Sequence, residues 1–325
     1  MNIMRKHCSL VLCLLAFASS CAFAQEGFPS KPIRLVIPYP AGGPADTLAR
    51  LLQTELRARL GQSVIADNRG GGGGRIGVDY VVKAAPDGYT LLLGNDGPVS
   101  VNPSLYKDIK FDPIRDLIAV SQLTSSQLVL LANPASPFKT VRELVAAAKN
   151  APGKYTFASS GSGNASHLGG ELLNGLAKIE LLHVPYKGAA PALADLIGGQ
   201  VNLLFNNLLS GLPHVKSGKL IALAVTGPKR SSAAQDIPTM REAGIAGFEM
   251  TLWSGVFAPS ATPAPIIAQL NKALVESVRA AAVTNKLVDQ GVEVVASTPE
   301  AFSIHVKRET EKWGKVVRDS GAKVD

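Results

Sequence analysis

The chain runs to 325 residues with a formal net charge of +8, 46% hydrophobic, 18% charged and 6% aromatic residues. That length supports a sizeable core and, as a prior, two domains. Basic residues are scattered among acids and aromatics are few, which excludes the basic surface of a nucleic-acid binder.

Residues 1–7 hold Arg5 and Lys6, residues 8–18 are apolar, and Ala22-Phe23-Ala24 precedes Gln25. This three-part layout predicts a secretory signal peptide over residues 1–24, cleaved on export. The apolar run is too short to span a bilayer, and no later stretch is long enough. Lipid attachment at Cys21 is the competing reading, disfavoured by Ala18 three residues before it. All three cysteines (Cys8, Cys13 and Cys21) fall inside this leader, so the mature chain is expected to lack thiols and disulfides. Losing Arg5 and Lys6 takes two from +8 and leaves +6, a mild excess that suits solubility or the attraction of small anions.

Residues 33–37 read as a buried strand, and Leu48, Leu51, Leu52, Leu56 and Leu60 then form a helical stripe ended by Gly61. A strand over 63–66, a glycine bend at 70–74, a helix over 78–84, a turn at Pro86-Asp87-Gly88 and a strand over 90–93 follow. Residues 128–131 are strand-like, and Thr140 with Glu143 forms a capping box opening a helix through Lys149. Strands are expected near 155–158, 181–184, 201–205 and 221–225, with helices at 167–176, 190–197 and 209–216 between or after them. Residues 256–258 are apolar, and helices over 265–280 and 299–318 finish the chain, the last capped by Thr298. Such alternation predicts an α/β fold of mainly parallel sheets flanked by helices. No linker composition marks a boundary, so two domains would be joined by crossing strands.

Two glycine-rich turns carry the functional signal. Residues 38–46, with Tyr39, Ala41, Gly42 and Gly43, join an apolar strand to an amphipathic helix. Residues 158–165, with Ser159, Ser160, Gly161, Ser162 and Gly163, stand in the same setting. A helix start leaves backbone N–H groups unpaired and carries partial positive charge, and glycine lets an anion approach it. Two such ends facing one crevice would hold a small carboxylate without a catalytic side chain. Asp46 reads as an N-cap, since its charge would repel such a guest. Asn95, His167 and Asn206 are further candidates for the crevice. Trp253 is expected to pack, Arg75 to face water, and His183 and His214 to be ordinary polar groups without metal-ligand spacing. Gly72, Gly74 and Gly77 satisfy G-x-G-x-x-G, but five adjacent glycines after the second strand read better as a mobile surface bend than as a dinucleotide site. A hydrolase using a turn serine with His167 lacks the G-x-S-x-G elbow. No cofactor, metal or catalytic residue is expected.

Longer segments carry a family likeness. They include residues 32–40 with Gly42-Gly43 and Asp46, Asp67-Asn68-Arg69, residues 86–92, and Asn102-Pro103-Ser104-Leu105-Tyr106. Gly161-Ser162-Gly163 with His167-Leu168, residues 183–188, Gly198-Gly199-Gln200-Val201, Gly218-Lys219-Leu220, residues 222–226 and Ile237-Pro238-Thr239 continue it. In this order and spacing the chain resembles the periplasmic solute receptors of tripartite tricarboxylate transporters, the Bug receptors. The resemblance implies the two-lobe periplasmic binding protein fold of type II topology. Residues 25–124 and 250–325 would form lobe one, and residues 125–249 lobe two. It further implies a small carboxylate held in the crevice by backbone amides and water, a monomeric receptor, and a membrane permease as partner. A receptor feeding a signalling protein would close in the same way.

Overall fold

The computed structural model describes residues 27–321, so the leader expected over residues 1–24 lies outside them. Strand β1 (Ile33–Ile37) is buried except at Arg34, as its unbroken apolar run requires of a strand covered on both faces. It pairs in parallel with β2 (Val64–Asn68) and β3 (Thr90–Asn95). Helix α1 (Pro44–Leu60) buries Leu48, Leu52, Leu56 and Leu60 at four-residue spacing, and Gly61 ends it in a left-handed conformation (φ 68°) with its N–H on the Arg57 carbonyl. The glycine run at 70–74 is packed rather than loose. A Cβ on Gly73 would lie 2.7 Å from the Tyr106 hydroxyl, and Asn102 Nδ2 donates to the Gly73 carbonyl at 2.8 Å. Nor does Arg75 point freely to water: it opens α2 (Arg75–Val82), donates to Gly72 O and lies over the Tyr106 ring.

After β3 the chain makes a π-helical turn (Gly97–Val101) and two four-residue helices, α3 (Asn102–Leu105) and α4 (Pro113–Asp116). It then enters β4 (Leu117–Ala132), four times longer than the apolar run that announced it. Next come α5 (Val141–Asn150), β5 (Thr156–Ser159), α6 (Ala165–Ala177), β6 (Leu182–Pro185), α7 (Ala189–Ile197), β7 (Leu203–Asn207), α8 (Leu208–Lys216) and β8 (Ile221–Val225). The chain finishes with β9 (Thr251–Pro259), α9 (Ala264–Arg279), α10 (Ala281–Asp289), β10 (Glu293–Val294) and α11 (Pro299–Ser320).

β4 belongs to two sheets. Residues Leu117 to Gln127 pair with β9, and Leu128 to Ala132 pair with β7 and β8, all antiparallel. One sheet therefore runs β2-β1-β3-β9-β4 and the other β6-β5-β7-β4-β8. The two orders are the same pattern used twice: β1, β2, β3 and the intruding β9 correspond to β5, β6, β7 and the intruding β4. The result is a two-lobe α/β fold. In such sheets ligands bind beyond the carboxyl ends of the strands, where the order reverses. The turns that leave β1 and β5 lie at those equivalent points. Helix α11 packs against both halves: Phe302 and Val306 join a core with Trp253 and Phe257, and Trp313 and Val317 join one with Phe157 and Phe205.

Candidate functional site

The first turn shows which of its amides stay free. Gly43 is the N-cap of α1 in extended conformation and Pro44 its first residue. Asp46 is therefore not the cap but the third helical residue. From there its carboxylate reaches back to the Gly42 N–H at 2.9 Å and forward to Arg50 Nε at 2.9 Å, in the manner of a capping-box acid. Arg50 and that amide hold the Asp46 carboxyl down at about 2. Gly42 (φ 86°) needs glycine's freedom, but its amide is spent on Asp46. Among the described residues nothing accepts from the N–H groups of Ala45 and Asp46, the orphan donors of a helix start.

The second turn is braced more heavily. Asn164 caps α6, accepting the His167 N–H at 3.2 Å. The Ser160 N–H donates to Ser166 Oγ at 2.9 Å, Asn164 Nδ2 to Ser160 Oγ at 2.8 Å, and the Gly163 N–H to His167 Nδ1 at 2.9 Å. Gly161 stands at φ 140°, where a side chain is strained. Here too the amides of Ala165 and Ser166 have no acceptor among the described residues.

Both helix starts open into one cleft of about 460 Å³. Tyr39, Pro44, Ala45, Leu48 and Leu51 line one wall, and Gly163, Asn164, Ala165 and Asn207 the other. Thr124, Ser126, Leu252 and Ser254, from the β4–β9 crossing, lie between, and Leu287, Gln290 and Val292 close one end. Asn95, Asp96 and Gly97 complete the lining at the end of β3. The Tyr39 hydroxyl donates to Asn95 Oδ1 at 2.9 Å, and burial raises its pKa above the ordinary tyrosine value. The cleft is thus walled by aliphatic side chains and polar backbone, with Asp96 the one acidic residue lining it among the described residues.

Of the residues expected here, Tyr39, Asn95 and Gly163 line the cleft, whereas Ala41, Gly42 and Gly43 shape the turn behind Pro44. Ser159, Ser160, Gly161 and Ser162 form the second turn without lining the cleft, and His167 is buried under it. Asn206 is turned away: it is buried and donates to Ser210 Oγ at 3.1 Å, while its neighbour Asn207 lines the cleft and caps α8. Adjacent strand residues point to opposite faces, so a one-residue difference moves the side chain out of the site. The residues that sequence reasoning missed are Asp96, Ala165, Ser126 and the 287–292 segment. For the first two the signal was their place directly after a strand or an N-cap.

Beneath the second turn His183 Nε2 lies 2.6 Å from Ser159 Oγ, and its ring stacks on His167 at 3.9 Å. Ser159 is fully buried, so this Ser–His pair has no route to a substrate. Burial and the neighbouring imidazole lower the His183 pKa from 6.5 to about 4. The unfolded chain then binds the extra proton between those values, so folding stability is complete above about pH 6.5 and falls as the pH drops toward 4. In thermal melts across that window, His183→Gln is expected to flatten the slope; an unchanged slope would remove His183 as its cause.

Residues 48–322 match the family described as tripartite tricarboxylate transporter family receptor. The protein BugT of Bordetella pertussis is 37% identical over 302 residues, covering 93% of this chain and 93% of BugT. The periplasmic binding protein BugD superposes with a TM-score of 0.71 at 36% identity, covering 91% of this chain and 99% of BugD. The structure of R. palustris Rpa4515 with adipate has a TM-score of 0.74 at 34% identity, covering 91% of this chain and 100% of that one. With the match spanning most of its length and the two glycine turns facing one cleft between two lobes, the chain belongs to the tripartite tricarboxylate transporter receptor family, the Bug solute-binding proteins.

Proposed function

We propose that this protein is a periplasmic receptor that captures a small carboxylate between its lobes and presents it to the permease subunits of a tripartite tricarboxylate-type transporter. The observation that carries this reading is the meeting of two helix starts at one cleft, where Ala45 and Ala165, whose amides have no acceptor among the described residues, line opposite walls. Partial positive charge from both ends attracts a carboxylate, and the amides satisfy its oxygens. The adipate in the related R. palustris structure is a guest of that chemistry. Residues 25–124 with 250–325, and residues 125–249, would move as the two lobes about β4 and β9. The protein acts as a monomer and makes or breaks no bond in its guest. Aliphatic side chains (Leu48, Leu51, Leu252 and Leu287) favour a guest with an apolar body over a highly charged tricarboxylate.

A thermal-shift screen over dicarboxylates, tricarboxylates, aromatic acids, amino acids and nicotinate tests this. A guest at about a hundred times its Kd adds about 2.7 kcal/mol to the folded state. For a protein of this size that is a rise of roughly 4 °C. Hits confined to sugars or cations would overturn the assignment.

A further inference from the structure

Asp96 puts an acid where an anion is to be received. It follows β3 directly and lines the cleft, which no lysine, arginine or histidine lines among the described residues. Its neighbours explain its state. Glu309, buried on α11, faces it with a like charge, and Tyr39 faces it from the first turn as an uncharged phenol. Lys312 also lies within range, but its ammonium is held by Glu309 Oε1 at 2.6 Å and by the Glu249 carbonyl at 3.0 Å. The other Glu309 oxygen takes the Trp313 indole N–H at 3.0 Å, so Glu309 is fixed as a carboxylate acceptor. The backbone N–H groups of Asp96 and Gly97 and the more distant Lys312 charge favour an ionised Asp96, but no ion pair reaches it among the described residues. Burial and Glu309 push its carboxyl up to about 7.

An ionised Asp96 would repel a carboxylate held by the two helix starts across the same small cleft. A protonated Asp96 would instead offer that guest an O–H donor. We propose that Asp96 receives the carboxylate guest as the neutral acid, so that capture above neutral pH draws one proton from solvent onto the Asp96 carboxyl. This rests on the carboxylate reading above and assigns Asp96 as a positioning residue for the guest. The proton stays on Asp96, shared in an O–H···O hydrogen bond, and leaves with the guest on release. A receptor of this kind holds its cargo more tightly in mildly acidic surroundings.

Titration calorimetry with adipate, malate and benzoate between about pH 6.5 and 8.5 tests it, because these guests stay ionised throughout that range. Repeating each titration in two buffers of different ionisation heat counts the protons taken up. Affinity is expected to be level near pH 6.5 and to weaken by up to about tenfold per pH unit above about 7, with uptake approaching one proton per guest. Asp96→Asn keeps the shape and a donor, and should bind with no pH slope and no uptake. The proton count needs only the native protein, so a poorly folding variant does not spoil the test. Carboxylate binding with neither slope nor uptake would overturn the role of Asp96 and leave the carboxylate reading standing. Binding confined to amino acids and strengthening with pH would make Asp96 an ionised partner for an ammonium, and would overturn the proposal. No binding of any carboxylate at any pH would overturn both.

Discussion

Gly255→Val is expected to lose a large share of the protein's stability. Gly255 lies in the middle of β9, opposite Gly94 of β3 on one side and Gln122 of β4 on the other. A Cβ there would sit 2.2 Å from the Phe302 ring and 2.7 Å from the Ser121 carbonyl oxygen. Neither can yield. Phe302 is fully buried, with Trp253 at 5.4 Å and Phe257 at 4.8 Å between ring centroids, and the Ser121 oxygen is backbone in a paired strand. Overpacking a core typically costs about 1–3 kcal/mol, and a clash with backbone as well as a boxed-in ring belongs at or above the top of that range. Whole proteins have about 5–15 kcal/mol to lose. Urea unfolding with Gly175→Ala as the matched control measures this, since a Cβ at Gly175 in α6 meets nothing within 4 Å. A Gly255→Val protein with a native midpoint would mean that the Phe302 cluster is far softer than its packing shows.

Ala165→Pro should fold normally and bind poorly. Ala165 is the first residue of α6, where proline suits the helix and its missing N–H costs no helical hydrogen bond. The preceding Asn164 is extended (φ −86°, ψ 175°), as a residue before proline must be. Helix α1 already begins in this way, with Pro44 after Gly43. The substitution therefore removes one cleft-facing amide and leaves the scaffold intact. A hydrogen bond to a charged group contributes about 1.5–3 kcal/mol, so affinity for a carboxylate should fall by roughly 10- to 150-fold. Ala165→Gly keeps the amide and separates loss of the donor from loss of the methyl group. Titration calorimetry alongside thermal melts reads both properties. Native affinity in Ala165→Pro would take this helix start out of the site.

The fold was legible wherever apolar runs and caps agreed. The strand at 33–37, the Leu48–Leu60 stripe with its Gly61 stop, and the caps Thr140 and Thr298 all stand where pattern put them. β4 was mostly hidden because its first half carries Ser121, Gln122, Thr124 and Gln127, which read as loop. All four are buried, and two find partners across the fold: Ser121 Oγ donates to Ser297 O, and Gln127 bridges Lys229 O and the Gly227 N–H. Helix α10 went unseen between two stronger helices, and with it the segment that closes the cleft. The two glycine turns were legible as helix starts. Which of their amides remain free was not, because Asp46, Ser166 and His167 take up Gly42, Ser160 and Gly163 through side-chain contacts that no spacing rule encodes.

The late position of β9 in the chain bears on how the molecule can be made. Every strand of the sheet β6-β5-β7-β4-β8 has been supplied by Val225, whereas the sheet β2-β1-β3-β9-β4 lacks the strand that joins β3 to β4 until residues 251–259 follow. A polypeptide released amino end first can thus pair every strand of its second sheet, though Trp313 and Val317 of α11 have yet to cover that core, while the first sheet still exposes the unpaired rims of β3 and β4, and such rims invite mispairing. Vectorial synthesis would pair the strands of the two halves of the clamp in reverse order of their starting points, and α11, arriving last, would seal both.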